Sequence, residues 1–125
     1  MARVTGIGGV FFTCKDPEKT VSWYREKLGL DIGEYGFCAF EWRSKDGVEA
    51  QTVWTPFPAD TDYFGPSGSS VMINYTVDNL DEFLTELKAK GVRIDDERQE
   101  YDYGRFAWVY DDEGKKIELW EPRKA

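Results

Sequence analysis

The chain contains no histidine. Without imidazole, most divalent-metal and general-base chemistry has to fall back on carboxylates. Only two cysteines are present, Cys14 and Cys38. They show neither a paired zinc spacing nor a Cys-x-x-Cys pattern and are expected as reduced, packed thiols. Lys and Arg number 16 against 24 Asp and Glu, a net charge of -8. No basic cluster offsets it, so no nucleic-acid partner is expected. No apolar run approaches a membrane-spanning length, which excludes a membrane partner from the reading. The start, Met1-Ala2-Arg3-Val4-Thr5-Gly6, lacks a basic leader with an apolar stretch and a small-residue cleavage site, so the expected location is cytoplasmic.

What is present is 125 residues that are 41% hydrophobic and 16% aromatic, enough for one domain with a core and no disulfide. The chain also says the same thing twice. Asp16 to Gly29, followed by Thr52-Val53-Trp54-Thr55-Pro56, returns as Asp78 to Gly91 followed by Glu118-Leu119-Trp120-Glu121-Pro122. In the first copy Asp16 is an N-cap, Pro17 a first helical residue and Gly29 a left-handed stop, with Val21, Tyr24 and Leu28 as one apolar stripe. Strands are expected at 6–14, 30–34, 37–43 and 49–54, with Lys45-Asp46-Gly47 as a turn. In the second, Asp78 or Asn79 caps a helix carrying Leu80, Phe83, Leu84 and Leu87, which ends at Gly91. Strands are expected at 71–77, 92–95, 105–110 and 116–121.

The stretch 55–70 holds Pro56, Pro58, Gly65, Pro66 and Gly68 and reads as a connection between halves. The expected class is α+β: a single domain, 1–125, of two βαβββ modules at 4–56 and 70–122 joined by a linker at 57–69. The mixed sheets curl into a cup with the helices outside.

Trp23-Tyr24-Arg25-Glu26-Lys27-Leu28-Gly29-Leu30 and Asp111-Asp112-Glu113-Gly114-Lys115-Lys116-Ile117-Glu118-Leu119-Trp120-Glu121-Pro122, with the internal repeat, resemble the vicinal oxygen chelate superfamily. That superfamily groups glyoxalase I, bleomycin-resistance proteins and extradiol dioxygenases. The resemblance implies metal ligands projecting into the cup from the first and last strand of each module. Counting back from the two helix caps gives Gly9 and Met72, and the matched pentapeptides give Thr52 and Glu118. Gln51 competes with Thr52 if the register slips by one, which would flip the faces of that strand. Gly9 has no ligand atom, Met72 is too soft and Thr52 is a poor neutral ligand. No bound metal and no cofactor are expected.

Glu118 lies between Ile117 and Leu119 and by alternation points into the cup. Three readings stand: an ion pair with Arg105 or Lys116, a remnant of metal-binding ancestry, or a base desolvated by Phe11, Trp54 and Trp120. In the last, Tyr103 and Arg105 would join Glu118 as catalytic residues, and Asn74 and Thr76 would orient a substrate oxygen. Trp54 and Trp120 occupy matching places in the repeat and are expected to face one cup, a slot for a flat or cationic molecule. The expected ligand-binding set is Phe11, Thr52, Trp54, Met72, Asn74 and Trp120. Two functions are open: a protein binding a small aromatic, cationic or carbonyl molecule, or a metal-independent isomerase or lyase using Glu118. The family resemblance implies a homodimer, with Phe57, Tyr63 and Phe64 on the connecting loop as a contact or lid.

Overall fold

The computed structural model describes residues 1–123. The first half consists of β1 (Val4–Cys14), α1 (Pro17–Trp23), β2 (Cys38–Arg43) and β3 (Glu49–Pro58). The second consists of β4 (Val71–Val77), α2 (Leu80–Ala89), β5 (Arg93–Tyr101), β6 (Gly104–Tyr110) and β7 (Lys116–Pro122). The strands form one open seven-stranded mixed sheet in the order β2-β3-β1-β4-β7-β6-β5. The class is therefore α+β, with the halves joined edge to edge where β1 runs antiparallel to β4. The longest helix, α2, has 10 residues, and no helix among the described residues is long and apolar enough to cross a membrane.

The helices start as their sequences dictate. Asp16 accepts a hydrogen bond from the Lys19 amide, with Pro17 in the first helical position. Asn79, and not Asp78, caps α2 through the Glu82 amide. Both helices pack on one face of the sheet. Under α2 lie Val77, Leu80, Ala107, Val109 and Leu119; on α1's side lie Val21, Ile32 and Cys38, with Tyr24, Leu30 and Trp54 against them.

Two expectations for the first half are corrected. Residues 30–34 are not a strand: the Arg25 guanidinium donates to the Ile32 carbonyl at 2.8 Å, and a turn closes from Gly36 to Gly33. That carbonyl is thus taken from any ladder, so the half has three strands where the other has four. Leu28 does not extend the apolar stripe, because α1 widens into a π-turn over Tyr24–Leu28. The wider turn rotates Leu28 off the buried face, leaving it 59% exposed.

The register fixes which side chains share the other, concave face. Gly9 lies opposite both Val53 and Asn74, and Asn74 lies opposite Glu118. Directly paired residues point to the same side of a sheet. Val53, Asn74 and Glu118 therefore face one way, and Thr52 and Trp54 face the helices.

Candidate functional site

Glu118 sits at the centre of a row across three strands. Asn74 is its partner on β4 and Trp108 its partner on β6, so sheet geometry alone delivers two donors to one carboxylate. Asn74 Nδ2 donates to Oε2 at 2.6 Å and Trp108 Nε1 to Oε1 at 3.2 Å. The third donor is the Tyr63 hydroxyl, on Oε1. Glu118 is 4% exposed, and all three partners are neutral. The next row on the same face runs Thr76, Trp120, Phe106, with Trp120 stacked on Phe106 at 5.8 Å between centroids. Met72 and Phe11 are buried alongside Trp108 and complete an apolar wall.

Tyr63 comes from the connection between the halves. Its ring stacks on Phe57 at 5.5 Å and an interplanar angle of 10°, and stands edge-on to Trp108 at 6.2 Å. Above it lies Lys116 Nζ, 5.1 Å from the ring centroid. Phe64 is buried beside it, so the chain covers its own concave face. Burial, followed by the Glu118 charge and hydrogen bond, pushes the Tyr63 phenol well above its ordinary range. It stays protonated and donating.

The floor is made by a bulge. Between Ile7 and Gly9 the pairing of β1 with β4 slips, leaving Gly8 as an extra residue against Asn74. A Cβ on Gly8 would come within 2.4 Å of Asn74 Oδ1 and 2.9 Å of Trp120. At Gly9, which has no side chain to offer the site, the Phe11 ring occupies the place of the missing side chain, 2.7 Å from an added Cβ.

The remaining residues singled out from sequence lie elsewhere. Arg105 points to the helix side, where its partners are Asp81 at 2.9 Å, Glu100 at 3.4 Å and Glu121 at 3.9 Å. It makes no ion pair with Glu118, and Lys116 spends its charge on aromatic faces. Trp54 does not share the cup with Trp120; it packs on Tyr24 at 4.9 Å under α1. Thr52 also faces away, accepting from Trp42 Nε1 at 2.8 Å. Tyr103 is at the rim, stacked on Tyr101 at 5.1 Å. Its phenol is raised first by burial, then by Tyr101 and by the Glu118 charge. Gln51 shares the parity of Val53, so the alternative register is the one adopted.

Trp108 escaped the sequence reading, and Tyr63 was named in it as a loop contact or lid but not as a partner of Glu118. Trp108 was accessible: the turn after Tyr110 sets the β6–β7 hairpin and thereby the residue opposite Glu118. Nothing local marks Tyr63 as the residue that reaches Glu118.

The family resemblance raises the question of a divalent metal. The donor set does not fit one. The carboxylate oxygens are engaged by N–H and O–H groups, and the same face of β3 offers Val53 in the row of Glu118, with the neutral Gln51 and Thr55 on either side of it. Among the described residues no three His, Cys, Asp or Glu side chains converge.

The sequence profile described as "Glyoxalase/Bleomycin resistance protein/Dioxygenase superfamily" matches residues 6–119. Among solved structures, a single-substitution variant of Streptomyces coelicolor methylmalonyl-CoA epimerase, in complex with 2-nitronate-propionyl-CoA, superposes with a TM-score of 0.67 at 20% identity, covering 98% of this chain and 100% of that one. The methylmalonyl-CoA epimerase of Mycobacterium tuberculosis gives 0.61 at 19%, covering 97% and 90%. A superfamily member from Vibrio splendidus 12B01 gives 0.57 at 16%, covering 97% and 99%. No curated protein matches the sequence.

Proposed function

Because the chain belongs to the glyoxalase/bleomycin resistance protein/dioxygenase superfamily, we propose that it uses the concave face of its sheet, as that fold allows, to bind a small organic molecule. Glu118 is the hydrogen-bond acceptor of the site, and Phe11, Met72, Trp108 and Trp120 form its apolar wall. One observation supports the reading above the others: a buried carboxylate faces the concavity and is held by neutral donors alone. A buried charge without an opposite charge is costly unless hydrogen bonds satisfy it. Its field remains available to an N–H or O–H of a ligand, while the aromatic wall supplies contact area for a flat body.

The test is a thermal-shift and tryptophan-fluorescence screen of amines, phenols and keto acids on wild type and Glu118→Gln. A bound ligand at a hundred times its Kd stabilises the fold by about 2.7 kcal/mol, a readily measured rise in Tm. Glu118→Gln is expected to weaken the ligand by at least about tenfold, the loss of one charge-assisted hydrogen bond. Equal affinity in both proteins would remove Glu118 from the site.

A second reading, a metal-independent isomerase or lyase, is favoured by one feature. The protonated Tyr63 phenol and the Glu118 carboxylate meet at a single point, a proton donor beside a proton acceptor. In it Glu118 removes a proton next to a substrate carbonyl. Exchange of solvent deuterium into a small keto compound by wild type, absent in Glu118→Gln, would establish it, and exchange by neither would end it.

A further inference from the structure

The aromatic slot on Glu118 is occupied by a side chain of the same protein, and that side chain specifies what the slot holds. Tyr63 is a phenol bound as a ligand would be. Its ring is stacked on one side by Phe57 and met edge-on by Trp108, its hydroxyl donates to Glu118, and an ammonium lies over its face. Each contact excludes an alternative. Lys116 Nζ, 5.1 Å from the ring centroid and 5.6 Å from that of Trp108, favours an electron-rich ring and repels a cationic one. Glu118 repels a phenolate and accepts from a neutral hydroxyl. Phe57 in near-parallel stacking asks for a flat ring.

The attachment of Tyr63 is also weak in backbone terms. Between Asp62 and Ser69 the described backbone hydrogen bonds are local: Gly65 to Asp62, and Tyr63 and Ser69 to the hydroxyls of Thr61 and Ser67. The stretch meets the sheet at its end, where the Ser69 hydroxyl donates to the Val71 carbonyl at 2.8 Å and accepts from the Val71 amide at 3.3 Å; the bonds around Tyr63 itself stay within the connection. Gly65 and Gly68 both have positive φ, at 83° and 74°, left-handed turns that glycine adopts without steric cost. Phe64 is the buried anchor and Tyr63 is only half-buried, so Tyr63 can leave without withdrawing its neighbour or breaking the ladder.

We propose that the Tyr63 slot is the ligand site and that its ligand class is a neutral phenol, which displaces the Tyr63 side chain and takes over its hydrogen bond to Glu118. The inference rests on the small-molecule reading above and narrows it: in the unliganded protein Tyr63 acts as an internal competitor. Affinity is then set by the difference between two phenols, one tethered and one free.

The test uses p-cresol, which is the tyrosine side chain without its backbone, and 4-methylanisole, which has the same ring but no donor hydrogen. Binding is read by amide chemical shifts and Trp108 fluorescence. Wild type is expected to bind p-cresol saturably. Tyr63→Ala, which vacates the slot, should bind it at least about tenfold more tightly. 4-Methylanisole should bind Tyr63→Ala about tenfold more weakly than p-cresol, and adding Glu118→Gln should erase that preference. Tyr63→Phe keeps the ring and loses only the competing hydroxyl, so it should also bind p-cresol more tightly than wild type; it carries the test if Tyr63→Ala does not fold.

Uptake of p-cresol by Tyr63→Ala with no response in wild type would overturn the proposal, because Tyr63 would then be a fixed part of the core. Equal affinity for the two probes would overturn it as well. Glu118-dependent binding of amines or keto acids by wild type without phenol binding would end this inference and leave the small-molecule reading standing. Failure of wild type to bind any class would end both.

Discussion

The two halves of the sheet follow one chain path and divide the labour unequally. The second supplies the polar chemistry of the concave face: Asn74, Trp108 and Glu118 in one row, with Trp120 in the next. Next to that row the first supplies Phe11, Val53 and Phe57, apolar contacts without a charge. The difference continues on the helix side. α2 has 10 residues and seals Val77, Leu80 and Leu119 almost completely, whereas α1 has 7 and ends in a widened turn. A duplicated scaffold needs only one well-packed half to hold a row of functional groups in place; the other half is free to shorten its helix and lose a strand.

The largest expected effect breaks that asymmetry at the helices. Leu80, the first residue of α2, is 0% exposed; Leu28, expected on the apolar stripe of the first helix, stands off the sheet at 59%. Leu80→Ala should cost about 2–5 kcal/mol through lost transfer energy and the cavity left behind. Leu28→Ala should stay within about 0.5 kcal/mol. Urea denaturation of both variants measures the contrast. Similar losses would mean that α1 packs as firmly as α2.

How much of this was legible in the sequence depends on the scale of the signal. The caps and the glycine stops were readable because each is a local rule; the βαβββ pattern expected of both halves holds in the second and fails in the first, which forms three strands. Glu118, Asn74 and Met72 were readable as one face because alternation within a single strand is local too. The pairing of the halves was not. The matched pentapeptides around Trp54 and Trp120 share residues, yet the Gly9–Val53 and Gly9–Asn74 pairings set them one residue out of phase. One indole therefore faces the helix and the other the cup. A side-chain period of two makes any such slip a change of face. The Tyr63 contact was beyond reach because it depends on where a turn-rich connection folds back, which no periodicity encodes.

An intermediate effect is expected at the floor of the site. Gly8 is the bulged residue of β1, and an added methyl group there would meet Asn74 Oδ1 at 2.4 Å, Thr76 Cγ2 at 2.7 Å and Trp120 at 2.9 Å. Those are the side chains that hold and flank Glu118. Gly8→Ala should therefore cost about 1–3 kcal/mol by overpacking, and it should disturb the Asn74 hydrogen bond before it disturbs the helices. Gly33, in the segment where the first half lacks its strand, has no atom nearer than 4.0 Å to an added Cβ. Gly33→Ala should fall within about 0.5 kcal/mol of wild type. Thermal unfolding ranks the pair, and chemical shifts of the Asn74 side-chain amide locate the damage.

The smallest effect sharpens the register itself. If the pentapeptides were structurally equivalent, Thr52 would face the concavity as Glu118 does, and replacing it with valine would change the site while leaving the fold intact. The sheet places it on the other side, where its hydroxyl accepts from Trp42 Nε1 at 2.8 Å and donates to the Ile7 carbonyl. Trp42 in turn lies across Gly6, with its ring 2.2 Å from an added Cβ, so this hydroxyl anchors an indole that spans β2, β3 and β1. Thr52→Val keeps the shape and strands one indole donor. It should cost about 1–2 kcal/mol of stability and shift Trp42 emission, with ligand affinity at Glu118 unchanged. Intact stability together with altered affinity would put Thr52 back in the cup and restore the phase that the sequence repeat suggests.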